Sequence, residues 1–293
     1  MAQEQYLDYL RYERRFSPHT IVAYELELDR FAQFLLSESV NFQSVDYRLA
    51  RYYISTLKEN GRASTSVNRT ISVLKSYYKY LLRSGLVDQN PMTALKSLRA
   101  PKKLPVTVEK EKLITMLEER ASEMDSFSDQ RDLLVMELLF GTGIRLSELL
   151  NIRDEDVDFY KQEIRILGKR SKVRLVPIHE QLVEQIRNYQ SEKKSALLQN
   201  MSAHLIVSNK GKPAYASMIY QLVKRYLTSI TSQKKRSPHV LRHSFATSLL
   251  DNGADLNAIK ELLGHAGLVT TQVYTHNSAE RLKLIYKQAH PKA

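Results

Sequence analysis

The stretch Leu98-Arg-Ala-Pro-Lys-Lys-Leu-Pro-Val106 limits what this chain can fold into more than any other. Its two prolines disfavour helix and its three cations discourage burial. Residues 99–107 therefore read as a linker between residues 1–98 and residues 108–293. A chain of 293 residues is long enough to build a core on each side of such a break.

The two sides carry different periodicities. In the first, Ser17-Pro18 marks a helix start, with Ser as N-cap and Pro at the first helical position. Ile21, Tyr24, Leu28, Phe31 and Leu35 follow at three- and four-residue steps, one apolar helical face. Further helices are expected over Tyr47–Leu57 and from Ser64 through Val67, Ile71, Leu74, Tyr78 and Leu81 to a stop near Gly85. Asn90-Pro91 should open a short one. No convincing strand appears before the linker. The 17 tyrosines, many on these faces, read as core or rim rather than as a stacking platform.

Beyond the linker the pattern is mixed. Glu109–Glu119 and Phe127–Phe140 look helical. Glu163–Leu167 and Lys172–Val176 alternate polar and apolar residues, as half-buried strands do, with Gly168-Lys169-Arg170-Ser171 as their hairpin turn. Helices resume near Gln181, Ser217, Ser237 and Asp255. The expected fold is mainly α with a small β component: a helical amino-terminal domain followed by an α+β domain.

Charge narrows the partner. Lys and Arg number 44 against 32 Asp and Glu, a net charge of +12. Residues 1–100 carry +4 of it and the remainder +8, so both halves suit a polyanion such as nucleic acid, although a merely solvated basic surface gives the same arithmetic. With no cysteine there is no disulfide, thiolate nucleophile or Cys-ligated metal, in keeping with a reducing cytoplasm. The amino terminus lacks the apolar stretch of a signal peptide. The most apolar segment, Leu133–Phe140, is short and holds Glu137, so no membrane insertion is expected.

Several polar residues sit where helices begin or end. Ser237-Pro238 should start a helix whose first two turns place His239 and Arg242 on one face, opposite Leu241, Phe245 and Leu249. Free amides and a forked cation there would attract a phosphate. Asp255 should cap the next helix, with Leu256, Ile259 and Leu263 inward and Gly264 as its stop, leaving His265 at a tight corner. Gly141-Thr-Gly-Ile-Arg145-Leu-Ser-Glu148 puts Arg145 at another helix boundary. Lys169 tops the hairpin turn. Tyr274 stands in Thr-Thr-Gln-Val-Tyr274-Thr-His. Each feature alone has an ordinary structural explanation: a capped helix with surface cations, a structural His, a core Tyr.

As a set, Gly-Ile-Arg145-Leu-Ser-Glu-Leu, Leu-Gly-Lys169, His239-Val-Leu-Arg242-His-Ser-Phe-Ala-Thr, Leu-Leu-Gly-His265 and Thr-Thr-Gln-Val-Tyr274-Thr-His closely resemble the tyrosine recombinase (phage integrase) family, and within it the Xer-type site-specific recombinases. The resemblance runs over nearly the whole chain, including Ser17-Pro-His-Thr and the tail Glu280–Ala293. It implies a helical core-binding domain, a catalytic domain with a tail helix, and six active-site residues: Arg145, Lys169, His239, Arg242, His265 and the nucleophile Tyr274. Lys172 competes with Lys169 for the role of general acid. Arg170 stands where the family often has Gly, and Ala266-Gly267 and Val269 are less polar than usual.

The implied reaction cuts and rejoins duplex DNA through a 3′-phosphotyrosyl link. Arginines and a histidine would stabilise the phosphate charge, and neither ATP, a metal nor another cofactor is expected. The implied assembly is two domains clamped around a double-stranded recombination site, four protomers in a synapse (one protein or two paralogues), and a tail packed on a neighbour or on its own domain. A septal DNA translocase is the regulator expected for chromosome-dimer resolution. A mobile-element integrase, a type IB topoisomerase and a non-catalytic DNA-binding relative are the neighbouring alternatives. A two-metal nuclease fits poorly, because the only carboxylate cluster, Asp154-Glu155-Asp156-Val-Asp158, reads as a solvated capping run. A P-loop NTPase lacks the earlier glycine, and His179-Glu180 lacks the second His of a zinc protease.

Overall fold

The computed structural model describes residues 2–101, 106–168, 173–196, 202–264 and 276–292. The chain divides into two compact units, Met1–Lys103 and Leu104–Ala293.

The first unit is helical among its described residues: α1 (Ala2–Asp8), α2 (Pro18–Ser37), α3 (Tyr47–Glu59) and α4 (Ser64–Arg83). Ser17 Oγ accepts the Thr20 N–H at 3.3 Å, as the Ser-Pro start predicts. The spaced face of α2 buries Ile21, Leu28, Phe31 and Leu35 against Tyr53 of α3 and Leu74 and Tyr78 of α4. Tyr6, Tyr53, Tyr77 and Tyr78 lie in this core, whereas Tyr12, Tyr47 and Tyr52 are exposed. Asn90-Pro91 starts no helix. Asn90 Oδ1 accepts the Met92 N–H at 3.0 Å and the chain continues as turns; an Asx turn satisfies the same donors that a longer helix would need capped.

The second unit begins with α5 (Lys110–Ser122) and α6 (Phe127–Thr142). Every residue of α6 from Arg131 onward is buried, which explains the run Leu133–Phe140: it is a central core helix. After the single turn α7 (Leu146–Leu149) come β1 (Val157–Asp158), β2 (Glu163–Leu167) and β3 (Val173–Pro177), an antiparallel sheet in that order. Leu167 pairs with Val173 and Glu163 with Pro177. The short β1 is an addition to the expected hairpin; Val157 pairs with Ile164.

Five helices follow: α8 (Glu180–Ala196), α9 (Ala216–Ile230), α10 (Pro238–Asp251), α11 (Leu256–Leu263) and α12 (His276–Ala289). Asp255 caps α11 through the amides of Asn257 and Ala258, and Gly264 ends it at φ 64°. The inward face of α11 is Ala258, Ile259, Leu262 and Leu263; Leu256 is exposed, contrary to its expected place in the core.

The tail packs on its own unit. Leu282, Tyr286 and Ala289 are buried in its core. Tyr286 Oη donates to the Gly141 carbonyl at 2.9 Å, and Asn252 Nδ2 donates to that of Ala289 at 2.9 Å. Lys292 pairs with the buried Glu137. The carboxylate cluster serves caps and ion pairs. Asp156 accepts the Arg153 N–H and pairs with Arg165, while Asp154 takes the ammonium of the fully buried Lys193 at 2.6 Å. No helix among the described residues is long and apolar enough to cross a membrane.

Candidate active site in the carboxy-terminal unit

Three of the six expected residues are described, and two of them, Arg145 and Arg242, bond to the carboxyl end of α11. The corner at Gly143 prepares the first. It takes φ 61°, and a Cβ there would run into the Phe245 ring. Only glycine makes that reversal without strain. It feeds the chain into extended Arg145, the N-cap residue of α7. Glu148, three residues on, accepts the Arg145 N–H at 2.8 Å and its Nη1 at 2.7 Å.

Arg242 comes from the second turn of α10 and is only 8% exposed. Its Nη1 donates to the Gly143 carbonyl at 2.6 Å and its Nη2 to that of Leu263 at 2.7 Å. Arg145 Nη2 donates to the carbonyl of Gly264 at 3.1 Å. A third guanidinium was not expected from the sequence. Arg174 of β3 donates Nε to the Leu262 carbonyl at 3.2 Å, and Nη1 and Nη2 to the two oxygens of Glu148 at 2.9 and 2.8 Å. Thus three arginines from three elements hold three consecutive carbonyls at the negative end of α11, where helical acceptors otherwise lack partners.

The electrostatics favour an anion. Glu148 is the one carboxylate bonded to these guanidiniums in the described structure, so two positive charges are left over. Burial alone would raise the Glu148 carboxyl, but the Arg174 and Arg145 donors hold it at about 2. Arg242 is pushed down to about 10 by burial and by the Arg145 guanidinium beside it, and still carries its charge at neutral pH. Each guanidinium has five N–H donors. Arg145 and Arg242 each commit two hydrogens of that set to described partners. Arg145, 28% exposed at its side chain, has solvent access.

His239 stands in the first turn of α10, partly open to solvent. Burial, then the cations of His243, Lys235, Arg242 and Arg145, push its pKa down, so the neutral imidazole that can accept a proton is favoured. Ser237 does not cap this helix through its side chain; its Oγ is buried without a partner. The helix starts on Pro238 and the Val240 N–H to Ser237 carbonyl bond at 2.9 Å. The apolar face of Leu241, Phe245 and Leu249 is buried as expected.

Lys169 and its competitor Lys172, His265 and Tyr274 lie outside the described residues. Gly264, whose carbonyl Arg145 holds, immediately precedes His265. Among the described residues no three His, Asp or Glu side chains converge as metal ligands. Glu148 and Arg174 are the functional-site residues that sequence reasoning passed over.

A buried arginine cluster on a helix end, within a unit of helices around a small antiparallel sheet, makes a site suited to an anion. The family comparisons say to which class of protein such a unit belongs. Residues 108–281 match the phage integrase family, and residues 4–85 its N-terminal SAM-like domain. Tyrosine recombinase XerC of Staphylococcus aureus (strain MSSA476) is 38% identical, covering 99% of this chain and 97% of the relative. XerC of Listeria innocua is 35% identical over 99% and 98%. A crystal structure of the XerH site-specific recombinase bound to palindromic difH substrate, in a post-cleavage complex, has a TM-score of 0.74 at 23% identity, covering 96% of this chain and 83% of that one; it shows the shared fold. The chain belongs to the phage integrase family and is a Xer-type tyrosine recombinase. It is accordingly a site-specific recombinase, an enzyme that cleaves and rejoins DNA.

Proposed function

We propose that this recombinase breaks one DNA strand at a time at a double-stranded recombination site, with Arg145 and Arg242 clamping the scissile phosphate. The observation that carries this reading is the surplus of two guanidinium charges beside α11, one of them buried. Negative charge grows on the non-bridging oxygens as the phosphate is attacked, and fixed donors in a water-poor site stabilise it without reorganising.

In the proposed step, the phenolic oxygen of Tyr274 forms a bond to phosphorus while the bond to the 5′ oxygen breaks. The Tyr274 proton, which a free phenol gives up only near pH 10, passes to His239, and Lys169 protonates the leaving 5′ oxygen, with Lys172 as the competing donor. His265 adds a hydrogen bond to the phosphate. The result is a 3′-phosphotyrosyl link and a free 5′ hydroxyl. The link keeps the ester energy for rejoining, so the reaction balances without ATP.

The assembly proposed is four protomers on two duplex sites, of one protein or with a paralogous recombinase. The biological role proposed is resolution of chromosome dimers in the cytoplasm, under a septal DNA translocase; the similarity to XerC proteins supports this over a mobile-element integrase. The test is covalent trapping on a nicked suicide duplex. The parent should form a protein–DNA adduct, and Tyr274→Phe should not. An adduct that survives Tyr274→Phe, or none in the parent on its own genomic site, overturns the reading.

A further inference from the structure

We infer that Arg174 is a positioning residue for the cleavage reaction, acting through Glu148 on Arg145 and through α11 on the residue after Gly264. The inference deepens the reading above and rests on Arg145 as a phosphate ligand.

Strand geometry first makes Arg174 anomalous. Residues two apart share a face of a strand, and Val176 points into the core. Arg174 therefore points inward too, and it is 6% exposed, whereas the apolar Val173 on the opposite face is 47% exposed. The strand has turned a cation into the core and left a valine outside. A buried ion pair is a poor device for stability alone, because desolvation consumes most of the Coulomb gain and an apolar pair of equal volume often does as well. Its geometry shows what it accomplishes instead.

Arg174 offers the planar fork that matches a carboxylate. Both Glu148 oxygens are held, at 2.9 and 2.8 Å. The same two oxygens take the Nη1 and the backbone N–H of Arg145. Glu148 alone could swing about its torsions; clamped by Arg174 it has one position, and so has the Arg145 guanidinium. The third donor, Nε, reaches the Leu262 carbonyl at 3.2 Å. The α11 terminus is thereby tied to the same fork. Gly264 permits the approach, for a Cβ there would sit 3.1 Å from Arg174 side-chain atoms. One side chain thus fixes the distance between Arg145 and the helix end from which His265 follows.

Displacement of a catalytic group by about 1 Å costs on the order of 10²-fold in rate, which sets the effect to look for. The experiment compares Arg174→Met, Arg174→Lys and Arg145→Lys in the full chain. It measures single-turnover cleavage of a nicked suicide duplex, site affinity by gel shift, thermal unfolding, and the rate ratio for the two phosphorothioate diastereomers at the scissile phosphate. Arg174→Lys keeps the charge but cannot grip both carboxylate oxygens. It should cleave about 10- to 100-fold more slowly, with affinity within about twofold. Its diastereomer ratio should shift in the same direction as that of Arg145→Lys, because both loosen one guanidinium against one non-bridging oxygen. Slowing in both arms without any shift in Arg174→Lys overturns the inference, as does parent-like cleavage by Arg174→Lys while Arg145→Lys is impaired. Unfolding of both Arg174 variants also overturns it, since Arg174 would then be a fold residue only. Parent-like cleavage by Arg145→Lys instead removes the reading on which the inference stands.

Discussion

Arg242 Nη1 lies 2.6 Å from the carbonyl oxygen of Gly143, so a residue of α10 closes the glycine corner that launches Arg145. Its Nη2 reaches Leu263 on α11 at the same time. One guanidinium therefore joins its own helix to two chain segments that lie 99 and 21 residues away from it in sequence, and still has donors to spare for a phosphate. The site is an architecture of helix ends, its side chains positioned by backbone carbonyls together with the Glu148 carboxylate.

Removing that guanidinium should separate chemistry from binding. Arg242→Ala is expected to lower suicide-substrate cleavage by at least about 10²- to 10³-fold, the scale for losing one preorganised oxyanion donor. Site affinity in a gel shift should change little, because many other phosphate contacts contribute to it. Equal loss of affinity and cleavage would contradict the role given to Arg242.

Gly143→Ala should damage folding rather than affinity for any ligand. The substitution forces a Cβ into a left-handed residue, at about 1–2 kcal/mol, and against the Phe245 ring, where overpacking adds about 1–3 kcal/mol. Urea unfolding is expected to show a loss on that combined scale with an unchanged slope. An unaltered midpoint would mean that the corner relaxes freely.

Binding to the recombination site should weaken steeply with salt. A net charge of +12 makes phosphate neutralisation the main source of affinity, and each phosphate contact contributes a slope of about −0.9 to the log–log plot. Arg242→Ala should leave that slope within about one contact of the parent. A flat salt titration would show that the affinity is not electrostatic.

How far the sequence could be read depended on whether the deciding partner was local. Ser17-Pro18 and Asp255 were legible because a cap is satisfied within three residues. Ser237-Pro238 looks the same on paper, yet Ser237 Oγ is buried without a partner and the cap is made by backbone alone. Asn90-Pro91 carries the same signal and yields only turns, although Met92 and Leu95 just after it are buried in the core. Arg145, His239 and Arg242 could be singled out from helix boundaries and family motifs. Arg174 could not, because alternation assigns faces by hydrophobicity, and here the inward residue is the charged one. Its reason for pointing inward is Glu148, 26 residues earlier. The parity of Val176 with Arg174 was the available signal.

The last expectation concerns acid and the tail. His179 and His290 face each other with ring centroids 4.9 Å apart. Each ring already uses one nitrogen as an acceptor: His179 Nδ1 takes the Leu182 N–H at 3.3 Å, and His290 Nδ1 takes the Lys292 N–H at 3.0 Å. His290 Nε2 donates to the Gly141 carbonyl at 2.9 Å. Both rings are thus held neutral, and a second proton would have to displace a donor. Burial, and then the Lys292 ammonium, push His179 down to about 4. Burial, His179, Lys292 and Lys110 push His290 down to about 3 against the Gly141 bond. The unfolded chain takes up these protons near pH 6.5 while the folded chain refuses them, so stability is intact above pH 6.5 and falls as pH drops toward 4. By pH 5 each ring contributes a loss of roughly 2 kcal/mol, at about 1.4 kcal/mol per unit. The Glu137 carboxyl, raised by burial and paired with Lys292, acts in the opposite sense and flattens the acid end. The measurement is urea unfolding across pH 5–8 for the parent and for the double variant His179→Asn with His290→Gln, whose amides can keep the acceptor at His179 and the donor at His290. The parent should lose stability toward pH 5 and the variant should lose several kcal/mol less; parallel curves would place the acid sensitivity elsewhere.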